Sequence, residues 1–186
     1  MRMRRVTSSG PFPESGRAEL GTAEARMLRA EIDGNEKQWR HYLADFRAEG
    51  GCLEVMQVAF HMLTRRRFEN TDALREVSRF VKSFNQVAPA EERLPPREAE
   101  AVIRGSLGEP HLLAAIDFEL SGNITYKLFL ALVDDLELKP AAVDRLLLGA
   151  EQMLLQVENS GIPLPFRDIT TKIVVIGDDK MYWRMR

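Results

Sequence analysis

Residues 52–67 constrain the fold of this chain more than any other stretch. Leu53, Val55, Met56, Val58, Ala59, Phe60, Met62 and Leu63 leave only one narrow polar strip, Glu54, Gln57, His61 and Thr64, at i, i+3, i+7 and i+10. A helix apolar on most sides needs neighbours all round it. The segment therefore predicts a helical bundle with this helix at its centre.

The flanking sequence supplies those neighbours. Leu28, Ile32, Trp39, Tyr42, Leu43 and Phe46 follow a helical stripe, with Thr22 placed as its N-cap. Asp33-Gly34-Asn35 interrupts the stripe, as a kink or as the join of two helices, and Gly50-Gly51 ends it. Leu74, Val77, Phe80, Val81 and Phe84 mark a helix over about 72–86, capped by Asn70 or Asp72, and 88–94 is a linker. Pro96, Pro110 and Pro140 each open an amphipathic segment from a first-turn position, where the missing N–H of proline costs little. Between the last two, Asn123 is placed at the start of a helix carrying Ile124, Leu128, Leu132 and Leu136.

The two ends of the chain differ from its middle. Residues 1–21 are rich in Gly, Pro, Ser and Arg without periodicity, and are expected to be a flexible tail. Lys172–Ile176 is β-branched, Gly177-Asp178 suits a tight turn, and Met181, Trp183 and Met185 then alternate with polar residues. This pattern predicts a β-hairpin over about 168–186, with the Met/Trp face as an interface. The expected fold is mostly α: one domain of about seven helices over 22–186, ending in that hairpin.

Composition excludes several classes. The net charge of −2 argues against a basic nucleic-acid coat, and the single Cys52 excludes a disulfide framework and a thiolate-rich metal site. No apolar run reaches the roughly 20 residues of a membrane helix. The basic opening Met1–Arg5 is not followed by an apolar stretch, so the cytoplasm is the expected compartment. Residues 108–158 hold nine acids against Lys127, Lys139 and Arg145, which predicts an acidic helical surface able to attract a basic partner.

Motifs for chemistry are sparse. His41, His61 and His111 do not stand at the i, i+4 spacing of a helical metal pair, and no phosphate loop or nucleophile elbow occurs. No metal and no cofactor is expected. His61 lies with Gln57 and Glu54 on the polar strip. It is either a core histidine bonded to Gln57 or a base lining a ligand pocket, with Trp39 and Tyr42 as further lining. Arg65, Arg66 and Arg67 suit a helix C-terminus or, alternatively, an anion or nucleic-acid patch. A helix-turn-helix across Ala101 and Gly105 would present Pro110–Leu120 to DNA, and that segment has no Arg or Lys. Nucleic acid is therefore an unfavoured partner. The reading leans away from an enzyme and toward a helical interaction or regulatory module that associates with itself, with a pocket near His61 as the alternative.

Overall fold

A computed structural model describes residues 19–69 and 72–160. The expected hairpin with Met181, Trp183 and Met185 lies outside the described residues, as do residues 1–18 of the expected tail. The described chain is all-α. It comprises α1 (Ala23–Ile32), α2 (Glu36–Ala48), α3 (Glu54–Phe68), α4 (Ala73–Val87), α5 (Pro96–Ser106), α6 (Phe118–Asp135) and α7 (Pro140–Ser160), with 3-10 helices at Ala90–Glu92 and Pro110–Ala115.

Local chemistry sets most of the boundaries. Thr22 Oγ1 accepts the Ala25 N–H at 3.1 Å and starts α1. Gly34 ends it at φ +65°, where its N–H reaches Glu31 O at 2.9 Å and the Asn35 N–H reaches Ala30 O at 2.8 Å. This is the paired C-terminal closure that a left-handed residue permits. Asn35 then caps α2 by accepting the Gln38 N–H at 3.2 Å. Asp33–Asn35 is thus a join between two helices, not a kink. Gly50 and Gly51 close α2 in the same way.

The helix expected at the centre is there. α3 packs against α1, α4, α5, α6 and α7. Val55, Met56, Val58, Ala59, Phe60, Leu63 and Phe68 are buried along it, joined by Phe46 of α2, Phe129 of α6 and Leu147 of α7. Burying side chains of this size stabilises by about 1.5–3 kcal/mol each, before ordering costs.

Two expected helix starts differ in the structure. Pro110 opens only a 3-10 helix, because the backbone turns again at Ile116 before a full helical run develops. The next helix begins at Phe118, where Asp117 Oδ1 accepts the Leu120 N–H at 3.1 Å, so Asn123 is interior to α6. The 3-10 segment lies close on α5. A Cβ built on Gly105 would stand 2.6 Å from Leu113 Cγ, so only glycine admits this approach. The 88–94 linker is also held down. The Asn85 amide exchanges two 2.8 Å hydrogen bonds with the backbone of buried Leu94, imitating one rung of a sheet.

Candidate functional site

The side chains that sequence reasoning grouped around His61 fall into two places. His61 itself is half-buried on α3. Its Nδ1 lies 3.1 Å from Ser106 Oγ, at the C-terminal end of α5. Burial holds the imidazole below its ordinary titration range, and the nearby Arg65 adds to that. Ser106 and Glu69 oppose it. The partner is therefore Ser106 from another helix. Gln57 and Glu54 follow the same strip of α3 and are both half-buried.

Trp39 and Tyr42 belong to α2, which packs on α1. Tyr42 sits under the Arg26 guanidinium, 5.5 Å from ring centre to Cζ, and lines an open groove of about 380 Å³. Leu20, Arg29, Asp33 and Gln38 also line this groove, whereas His61, Gln57 and Glu54 do not. Trp39 is half-buried, with its indole Nε1 buried and without a hydrogen-bond partner. The groove wall is mixed in charge and largely self-satisfied. Arg26 donates to Leu20 O and Gly21 O, and Arg29 Nε donates to Asp144 at 2.5 Å.

The arginine run spreads around the end of α3. Arg65 pairs with Glu69. Arg67 reaches Asp135 at 2.6 Å and Glu76 at 3.8 Å while covering the Phe68 ring at 5.1 Å. Arg66 points outward and is exposed. Arg67 thus ties α3 to α4 and α6, while the Arg65 pair stays within the end of α3 itself.

Four of the nine acids of the 108–158 segment are engaged within the bundle. Asp135 pairs with Arg67, Asp144 with Arg29, and Glu109 with Arg104. Glu151 accepts the Gly21 N–H at 3.1 Å, the Thr22 N–H at 2.7 Å and the Thr22 hydroxyl at 2.7 Å. The surface that α6 and α7 present is thus less acidic than the sequence charge of that region suggests, although Asp117, Glu119, Asp134, Glu137 and Glu158 stay exposed.

Sequence reasoning missed a set of glutamates that cap helices other than their own. Besides Glu151, Glu49 accepts the Ala23 N–H at 3.3 Å, closing the start of α1 from the end of α2. Glu24 of α1 is only 5% exposed and accepts the Val55 N–H at 3.0 Å and the Met56 N–H at 2.7 Å. It supplies to α3 the cap that Leu53 cannot. Burial pushes the Glu24 carboxyl up to about 8, helped by the neighbouring Glu54 and opposed by the backbone N–H groups it accepts.

One surface feature stands apart. The buried side chains of α7 end at Glu151, although the helix runs on to Ser160. Met153, Leu154 and Val157 are only partly covered, and Leu155 is 57% exposed. The other strongly exposed apolar residues, Leu74 and Val87, stand at opposite ends of α4, about 20 Å apart along the helix, with exposed Arg75, Arg79 and Lys82 between them. Leu120 of α6 is exposed as well, at 36%, and on α7 Leu155 is the one strongly exposed apolar residue, because Met153 and Val157 lie about 160° round the helix from it, packed on the core.

Among the described residues, no group of three or more His, Cys, Asp or Glu side chains is placed to hold a metal ion. No described helix is long and apolar enough to cross a membrane. No protein-family model, curated protein or solved structure matches the chain.

Proposed function

We propose that this chain is a helical protein-interaction or regulatory module that acts in the cytoplasm, associates with itself and performs no catalysis. The observation that carries this reading is the end of α7. Leu155 is 57% exposed there, between Gln152, Glu158 and Asn159, and offers a partner one apolar anchor. Support from an acidic face is weaker than the sequence suggests, because Glu109, Asp135, Asp144 and Glu151 are engaged within the bundle. Sedimentation velocity over about a hundredfold concentration range tests the reading. A shift from monomer to dimer is expected, and a single monomer species throughout would sink it.

A second reading, a small-ligand or enzymatic pocket at His61, draws on the half-buried imidazole beside the Ser106 hydroxyl. A serine and a histidine in hydrogen-bond contact form the first half of a nucleophile–base arrangement. Against it, Ser106 closes a helix C-terminus, where carbonyl dipoles disfavour a developing negative charge. Covalent labelling of Ser106 by a fluorophosphonate probe would move the balance to this reading. Nucleic-acid binding through Arg65, Arg66 and Arg67 has less support, because Arg65 and Arg67 are already paired with carboxylates.

A further inference from the structure

We infer that the outer face of α4 docks an acidic segment of a partner protein, one that presents carboxylates at helical spacing. This rests on the interaction-module reading and is independent of whether the chain pairs with itself. Arg75, Arg79, Lys82 and Gln86 stand at i, i+4, i+7 and i+11, within about 60° of one another around the helix, so they form one seam. All four are exposed, as are Ser78 and Ser83 beside them. No acid stands in that seam. Glu76, the one carboxylate of α4, is half-buried on its flank and held by Arg67 and Arg79. The opposite side of the helix is turned to the core through Val77, Phe80 and Val81.

Charge complementarity selects the partner. Like charges at i, i+4 repel, as Arg75 and Arg79 do here, and the fold does little to offset it. Arg29, Arg67 and Arg104 meet carboxylates of other segments, whereas Arg75 and Lys82 form no ion pair among the described residues. The ends of the chain do not supply the missing charge. Residues 1–18 carry four Arg against Glu14, and residues 161–186 carry five cations against three acids. The seam also discriminates among anions. Its three cations span about 10 Å, and exposed acids follow at both ends, Asp72 before α4 and Glu91 and Glu92 after it. A nucleic-acid strand, charged at every step, would run onto those acids, and no exposed aromatic ring stands on α4 to stack a base. Leu74 and Val87 lie about 140° apart around the helix, so they offer no common face to a membrane. A partner helix with Asp or Glu at i, i+4 and i+7 matches the seam in both length and spacing.

The test is an NMR titration of the full chain with a synthetic helical peptide bearing glutamates at i, i+4, i+7 and i+11. An isomer of the same composition, with its glutamates spread round the helix, is the comparison. At low salt the spaced peptide should shift the backbone amides of residues 75–86 and bind at least about fivefold tighter than the isomer. R75E with K82E should weaken binding at least about tenfold with an unchanged helical spectrum, since each change replaces an attraction by a repulsion. K37E with R145E makes the same change of net charge on α2 and α7 and should leave binding within about twofold. An isomer that binds equally well, binding undiminished in R75E with K82E, or shifts centred away from α4 would overturn the inference. Oligothymidylate or phosphatidylserine vesicles holding the same face more tightly than the peptide would overturn the acidic-protein assignment. Sedimentation velocity reads self-association separately, so a failure on α4 leaves that reading standing and a monomer leaves this one.

Discussion

Glu24 carries the sharpest energetic prediction. Its carboxyl accepts two backbone N–H groups at the start of the central helix, from a position only 5% exposed. Glu24→Ala leaves both donors buried without an acceptor, at about 1–3 kcal/mol each, partly offset because a buried carboxyl is removed. The net cost should be about 3 kcal/mol, lowering Tm by roughly 6–12 °C. Val55 and Met56 donate to different carboxyl oxygens, so Glu24→Gln keeps one acceptor, sets its NH2 against the other N–H and should cost about 1–3 kcal/mol. The pH dependence follows from the direction of the shift. The carboxyl is raised from 4.5 to about 8, so the folded chain binds a proton that the unfolded chain has released. Its contribution is fully present below the unfolded value and is lost as pH rises through the folded one. Within that window the loss is at most about 1.4 kcal/mol per pH unit. From about pH 5.5 to about pH 7.5, the urea midpoint should fall by up to about 1 M in the wild type and by clearly less in Glu24→Gln. Urea unfolding followed by circular dichroism measures both. If Glu24→Ala costs under about 1 kcal/mol, or if wild type and Glu24→Gln share one pH profile, the capping argument is wrong.

Other positions give independent checks. Gly105→Ala sets a methyl 2.6 Å from Leu113 Cγ and should destabilise by about 1–3 kcal/mol. Adding Leu113→Ala should make the cost of Gly105→Ala smaller in a double-mutant cycle. Glu137 ends α6 at φ +47°, with its N–H on Asp134 O at 2.9 Å and the Leu138 N–H on Val133 O at 3.1 Å. Glu137→Gly removes the left-handed strain and should stabilise by about 0.5–1 kcal/mol in thermal unfolding. His61 should titrate below 6.5 in an NMR pH series. A value at or above that range would mean the imidazole is more open to water than its place between α3 and α5 implies.

What was legible in the sequence is what depends on neighbours in the chain. The all-round apolar face of Val55–Leu63 put α3 at the centre, and Thr22, Gly34, Asn35 and Gly50 set helix ends within one turn of themselves. Asp117 carried the same kind of signal for the start of α6, where it accepts the Leu120 N–H. Contacts made across the fold left no such trace. Glu151 reaches Thr22 over 129 positions, and Glu24 reaches Met56 over 32. Nothing local distinguishes either from a solvated glutamate. The acidic surface is weaker than the charge sum of that segment for the same reason, because such a sum cannot tell which carboxylates are paired inside. The candidate site was half legible. The half-buried state of His61 follows from the polar strip, while Ser106 as its partner depends on how α5 docks against α3.

A native mass spectrum of the full chain as purified tests the central claim most directly. The account predicts a dimer at twice the chain mass of 21.2 kDa, free of any adduct. A monomer carrying a bound small molecule would contradict it and make the surroundings of His61 the place to look.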